Sequence, residues 1–393
     1  MTNTSILISG ASIGGPALAY WLERYGFDVT VVERWGGLRP GGQAIDVRGP
    51  ALDVAERMGV LDELRAHTTG MRGMSVVDGE GNELYRSTEH TVSGGDLASP
   101  DVEILRDDLA RIIVDAAGGG VEYLFGDSIA ALEQDENEVR VTFDSGLKRT
   151  FDLVVGADGL HSNTRGLVFG PTERFITRLG TNMAVFTVPN FLELDGWQVM
   201  HQMPDGGMRG AMVMSVRGGS EARAYAMFDG PLEYDHRDLE AQRKIVAGAL
   251  AGDSWEMPRL VSEMWSAPDF HLDAAAQIHL DRWSKGRVVL LGDAGYCGSP
   301  LSGQGTSMAM VGGYVLAGEL KAAGGDHVAA FDAYERELRG YVHANQEMAI
   351  ANMRARQAEL AGETDGEAAA EALAEAGAEE FAEVVGSYAI KEY

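Results

Sequence analysis

Cysteine occurs once in the 393 residues, at Cys297. No disulfide can form within the chain, and a reducing, cytoplasmic setting is the expectation. Long apolar runs are also missing: none approaches the roughly 18 residues that a membrane span needs. With a strand pattern in place by Ile6, a cleaved leader is not expected either. Basic residues are scarce, 32 Lys and Arg against 60 Asp and Glu, for a formal charge of −28. So acidic a surface repels nucleic acid and anionic membrane, which leaves neither as an expected partner; the charge itself reads as solubility. There is no H-E-x-x-H and no close Cys/His spacing, so no metal site is expected. No internal repeat is visible.

Glycine, by contrast, is abundant at 51 residues without any low-complexity period, which implies many tight turns and close backbone approaches. The most informative stretch is GRVVLLGDAGYCGSPLSGQGTSMAM, residues 286–310. Its apolar run Val288–Leu291 reads as a buried strand that delivers the carboxylate of Asp293 to its carboxyl end. A loop through Pro300 and Gly303 then opens, by Gly305, Thr306 and Ser307, into a helical pattern over 306–320. The start of such a helix carries unpaired N–H groups and partial positive charge, suited to a phosphate or a ring that becomes anionic.

The N-terminus carries a second device of this kind. Ile6–Ile8 form a short strand, a helix is expected over 16–25, and Asp28–Glu33 form a second strand, which together make a βαβ unit. Its turn, Gly10-Ala11-Ser12-Ile13-Gly14-Gly15, is a dinucleotide fingerprint with Ser12 at the middle glycine, and Glu33 follows at the distance of a ribose-binding acid. The same letters spell the G-x-S-x-G elbow of hydrolases. An elbow, however, needs upstream strands to build its oxyanion loop, and none precedes Ile6. A third strand, Leu153–Val155, ends in Gly-Ala-Asp158-Gly. Glu33, Asp158 and Asp293 thus lie at three strand ends, which in an open α/β sheet line one crevice.

Residues 173–274 read differently. MAVFTV, WQVMHQM, MRGAMVMSV and ARAYAMF suggest an antiparallel sheet, and methionines are concentrated there. Most should be core, but Met200, Met212, Met214 and Tyr225 are candidates for an adaptable apolar wall against a bulky ligand. A helix is expected over 103–117 and another over 239–250, and QIHLDRW is expected as the strand leading back. A long helix is expected over 328–360, and one acidic surface helix over the tail GETDGEAAAEALAEAGAEEFAEVV. The expected fold class is α/β. A Rossmann-like domain (1–72, 98–172 and 275–345) is interleaved with a β-sheet domain (73–97 and 173–274), followed by C-terminal helices (346–393).

The fingerprint with Glu33, the D-G-x-x-S-x-x-R of Asp158, Gly159, Ser162 and Arg165, and the G-D-A…P-x-x-G-x-G of Gly292 to Gly305 occur in this order. Over about residues 5–345 the chain therefore resembles the single-component FAD-dependent monooxygenases, the class that includes para-hydroxybenzoate hydroxylase. Within it, the chain is most similar to actinobacterial polyketide hydroxylases and tetracycline-inactivating enzymes. The resemblance implies FAD as cofactor and NADPH or NADH as transient co-substrate. One atom of O2 would enter an aromatic or polyketide-like molecule through a flavin C4a-hydroperoxide. By the same resemblance Gly10, Ser12, Ile13, Gly14 and Gly15 approach the pyrophosphate, Glu33 binds ribose, and Arg34 lies along the adenine. Gly41, Gly42 and Gln43 border the ring, Arg106 contacts FAD, and Asp293 holds the ribityl chain. Gly305, Thr306 and Ser307 aim backbone N–H groups at the ring's N1–C2=O edge, Pro300 and Gly303 of the same motif belong to the cofactor site, and Asp158 and Arg165 shape a groove for NAD(P)H. The chain departs from the family pattern at Ser12, at Tyr296 in place of histidine, and at Ser307 in place of asparagine. No catalytic base is named by the sequence; His201, Arg209 and Tyr225 lie in the sheet region with ordinary structural roles open to them. A cyclase or isomerase that keeps FAD without turning it over, and a ligand-sequestering flavoprotein, remain alternatives, as do monomer and homodimer.

Overall fold

The computed structural model describes residues 4–203, 207–360 and 381–393. Its first sheet has six strands in the order Ser284–Lys285, Val288–Leu290, Leu153–Gly156, Ser5–Ser9, Asp28–Glu33 and Val121–Phe125. All neighbours run parallel except the first pair. Parallel strands are covered on both faces, and the alternation of side chains shows how. Ile6 and Ile8 point into a large helical core with Leu18, Leu22, Val311 and Val315. Leu7, between them, points the other way, onto Val139, Val141 and Phe143 of a small three-stranded sheet. The helix Gly305–Ala322 runs through the large core with nearly every residue beyond its first turn buried, which explains its small and apolar composition.

The second sheet has seven strands in the order Phe270–Ile278, Ile176–Val188, Glu221–Asp229, Gly210–Val216, Trp197–Gln202, Gly73–Val77 and Glu83–Ser87. One face carries Phe186, Ala224 and Val213 against the helices Leu239–Ala249 and Met257–Ser266. The other carries Val185, Tyr225, Met212 and Met214 against Leu105 and Ala44. Those two residues belong to an antiparallel ribbon, Ala44–Val47 with Val102–Leu105, wedged between the two sheets.

The structure corrects two readings of the sequence and adds one helix. The helix expected over 103–117 begins at Arg106. Val102–Leu105 is committed to the ribbon, and Arg106 N–H extends that ladder by donating to Gln43 O at 3.1 Å. QIHLDRW is not the returning strand. That strand is Phe270–Ile278, whose Ala274–Ala276 run has little strand propensity and hid it; only Gln277 and Ile278 of the expected segment belong to it. The helix Met257–Ser266 had not been anticipated. Most of the acidic tail helix, residues 361–380, lies outside the described residues. Among the described residues, no helix is long and apolar enough to cross a membrane.

Candidate functional site

Ser9 pairs with both Val32 and Gly156, and Gly156 pairs with Leu290, so the ends bearing Gly10, Glu33, Asp158 and Asp293 are neighbours. Gly10 turns the chain with φ +110°, a region closed to most side chains, and a Cβ there would lie 2.4 Å from Ala157 O. The helix Gly14–Arg24 follows. Its N-cap, Ile13, offers no side-chain cap, and its first turn holds no acid, so its leading N–H groups remain available to an anion. Glu33 closes the turn by accepting from Ala11 N–H at 2.8 Å and from Trp35 N–H at 3.0 Å. Arg34 is exposed beside it.

Asp158 is engaged by its own surroundings. It accepts from Thr164 N–H at 2.9 Å and Thr164 Oγ1 at 2.8 Å, and also from the Ser162 hydroxyl. Arg165 is fully buried and joins the second motif to the third, donating to Ala294 O at 2.8 Å and to Leu160 O at 2.5 Å. Asp293 starts a short helix after Gly292 and is recessed in the crevice. Burial raises its carboxyl above the usual range, opposed by the Cys297 thiol and Arg165. Cys297 itself is buried against Ala276 O, and burial pushes its thiol well up.

The long central helix begins beside Asp293. Its N-cap, Gln304, supplies no side-chain cap; the side chain is fully buried, and neither its Oε1 nor its Nε2 has a partner. Ser307 Oγ accepts from Arg48 N–H at 3.0 Å, which fastens this end to the ribbon. Gly303 just ahead has its left-handed turn against the Arg48 guanidinium, and Pro300 opens the same turn.

The segment Gly41–Gln43 is clamped from several sides. Gly41 N–H donates to Asp107 Oδ2 at 3.1 Å, and Gly42 N–H to Asp269 Oδ2 at 3.2 Å. Arg106 donates to Arg39 O and Gly41 O, both at 2.7 Å, and reaches Ser12 Oγ at 3.4 Å. Arg223 Nε donates to Gly42 O at 3.1 Å. Gln43 Oε1 and Arg106 Nε are nonetheless buried without partners.

Of the four apolar-wall candidates, Met200 alone is partly exposed. Met212, Met214 and Tyr225 are buried in the packing between sheet and ribbon, and Tyr225 Oη accepts from Ala44 N–H at 2.8 Å. His201 is buried elsewhere, with Nδ1 3.1 Å from Val77 O and Nε2 3.6 Å from Asp253. Sequence reasoning missed Arg48, Arg223, Asp269 and Gln304, none of which sits at a motif position except Gln304, between Gly303 and Gly305. It also missed a cluster in which His161 Nε2 lies 3.0 Å from Asp273 and stacks on His236 at 4.7 Å. His161 falls inside the second motif, which was the available signal.

An orphaned Gln304, Gln43 Oε1 and Arg106 Nε, two uncapped helix starts and a recessed carboxylate form a set of donors and acceptors that wants an extended polar ligand with anionic parts. Those residues fit a dinucleotide carrying a polar ring system.

Comparison with known proteins agrees. Residues 3–349 match the family described as the FAD binding domain. An uncharacterized protein of Mycobacterium tuberculosis is 56% identical over 350 residues, 89% of this chain and 93% of its own. A flavin-dependent monooxygenase from an unknown prokaryotic organism is 41% identical over 346 residues, 88% of each chain. The crystal structure of the tetracycline destructase Tet(51) covers 100% of both chains with a TM-score of 0.90 at 34% identity.

Proposed function

The chain belongs to the FAD-binding family of flavin-dependent monooxygenases, and from that premise we propose that it uses NAD(P)H and O2 to oxygenate a multi-ring, partly apolar, polyketide-like small molecule. Bound FAD supplies the electron transfer and the activation of O2, and the protein supplies position and field.

The pyrophosphate is assigned to the turn Gly10–Gly15 and the uncapped helix start at Gly14. Ribose is assigned to Glu33 and the ribityl chain to Asp293. The N–H groups at Gly305, Thr306 and Ser307 would hold the anionic edge of the ring system and favour its negative charge. Gly41–Gln43, held by Arg106, would border the ring. Asp158 and Arg165 act from behind, as braces of the groove through which NAD(P)H reaches the ring. The partly exposed Met183 and Met200 offer an adaptable apolar face to the substrate, and the seven-stranded sheet behind them keeps water away from the reacting atoms. The domain division 1–72, 98–172 and 275–345 against 73–97 and 173–274 is proposed from the sheet that each segment joins, and a cytoplasmic setting from the single cysteine, for a monomer or homodimer.

The observation that carries the reading is Gln304. A fully buried amide with both polar atoms unpartnered, at an uncapped helix start beside Asp293, is costly unless a ligand completes it. The test is direct. Acid precipitation of purified protein should release a yellow chromophore into the supernatant as FAD, because the thiol of Cys297 is buried and donates to Ala276 O. NADPH should then bleach the holoenzyme, faster with a tetracyclic ligand present than without. Colour left on the pellet would contradict the non-covalent assignment. Flavin that NADPH never reduces would favour the cyclase or isomerase alternative.

A further inference from the structure

The cluster around His161 has no part in the cofactor assignments, and it is built by a segment that comes from elsewhere in the chain. Residues 230–238 leave the strand Glu221–Asp229 and enter the helix Leu239–Ala249. Both ends of the segment are fixed. Gly230 N–H donates to Gly180 O at 2.9 Å, Leu232 is buried with Val246 and Leu250, and Asp238 caps the helix by accepting from Ala241 N–H at 2.9 Å. Between these points two side chains reach out. Tyr234 Oη donates to Asp273 Oδ1 at 2.7 Å, and His236 stacks on His161 with the two rings parallel and 4.7 Å apart. His161 Nε2 meets the same pair, 3.0 Å from Asp273 Oδ1 and 3.2 Å from Tyr234 Oη.

The placement of the two anchors gives the contact its meaning. His161 lies inside the second motif, between Asp158 and Arg165. Asp273 lies between Leu272 and Ala274, which pack on the helices, so it points to the other face of the second sheet, and there it pairs with Met183. The segment therefore fastens that sheet to the motif assigned to the NAD(P)H groove. The fastening is reversible in kind. His161 and Asp273 keep 27% and 20% of their side chains open, so water can take over their hydrogen bonds at modest cost. The charges around it set a response to pH. His236 faces His161 of the second motif, Arg34 beyond the strand Asp28–Glu33, and Asp235 and Arg237 of its own segment. Asp273 also faces His271 of its own strand, and Arg178 lies toward Tyr234. Burial first, then His161, Arg237 and Arg34, hold the His236 imidazole below the usual 6.5, so a proton there is disfavoured while the segment is fastened. The contribution of His236 to fastening is therefore complete above about 6.5 and fades as the pH falls below it.

Resting on the NAD(P)H groove read above, we propose that the segment 230–238 is a latch over that groove, held shut by Tyr234 on Asp273 and by His236 on His161, and that it lifts before the nicotinamide cofactor enters. Tyr234 and His236 are then positioning residues, which act through Asp273 and His161 on the access to the flavin.

The test uses the full-length holoenzyme and follows reduction of its flavin by NADPH in a stopped-flow instrument, with no substrate added. Tyr234→Phe deletes one hydroxyl, and His236→Ala deletes the stack. Losing one such contact raises the lifted fraction by roughly three- to tenfold. The NADPH concentration that gives half-maximal reduction should fall by the same factor in each variant, with the limiting rate unchanged. The difference between wild type and His236→Ala should shrink between about pH 8 and about pH 6, because a proton on His236 loosens the wild type. Unchanged half-saturation in both variants overturns the latch. A rise overturns it too, since the two side chains would then be contacts of NADPH itself. Should neither NADPH nor NADH reduce the wild-type flavin, the co-substrate reading fails and trypsin decides the latch. Arg237 is exposed within the segment, and cleavage there should be roughly three- to tenfold faster in Tyr234→Phe than in wild type; equal cleavage overturns it.

Discussion

Gly15→Ala is expected to yield a protein that purifies without flavin, whereas Gly14→Ala, one residue earlier, is expected to keep it. The contrast follows from what each new methyl would touch. At Gly15 it would lie 2.0 Å from Gly10 O and 3.3 Å from Ile8, so the backbone of the fingerprint turn must move. At Gly14 the nearest atoms, on Ala309 and Leu291, are 3.5 Å away, an ordinary contact. Forcing backbone apart in a packed site costs about 1–3 kcal/mol. It also re-aims the N–H groups assigned to the pyrophosphate, which should weaken FAD binding by a further factor. Flavin absorbance per protein, with melting temperature measured alongside, reads both effects. Equal flavin content in the two variants would show that the turn does not approach the cofactor.

Arg106→Ala should produce the other large loss. This side chain is 5% exposed and donates to Arg39 O and Gly41 O while reaching Ser12. Burial, with Arg39 close by, lowers its own affinity for a proton, holding it at about 10, so it stays charged at neutral pH. Truncation leaves two carbonyls without a donor, each worth about 1–3 kcal/mol if it stays buried. It also releases the segment Gly41–Gln43 from the first loop. FAD affinity should fall by roughly a hundred-fold or more, which about 3 kcal/mol implies. Arg106→Lys should not restore it, since one ammonium cannot reproduce a planar fork toward two acceptors. Flavin titration of the apoprotein measures each variant. Full rescue by lysine would mean that charge alone, and not the clamp, is what matters.

How far the sequence alone reached can be seen at individual positions. The strand Asp28–Glu33 was legible to the residue, because an apolar run between a turn and an acid leaves few alternatives. The adjacency of Glu33, Asp158 and Asp293 followed from three similar strand ends in one sheet. The wedged ribbon did not. Val102–Leu105 continues the helical spacing of the residues after it, and only pairing with Ala44–Val47 separates the two. The clamp on Gly41–Gln43 was invisible for a related reason. Arg223 comes from a strand and Asp269 from the loop just ahead of one, both far along the chain, and a lone charged residue there carries no pattern. Met212, Met214 and Tyr225 satisfied the pattern of an apolar wall, but strand alternation cannot tell a face open to ligand from one covered by a ribbon.

The central claim is that this chain transfers an oxygen atom from O2, and one measurement addresses it most directly. Holoenzyme, NADPH and a tetracyclic compound are incubated under 18O2, and the product is weighed by mass spectrometry. The account predicts a product carrying one 18O atom, formed only when NADPH is present, with little hydrogen peroxide released. NADPH consumed entirely to peroxide in the presence of every ligand tried, or a product with oxygen drawn from water, would contradict it.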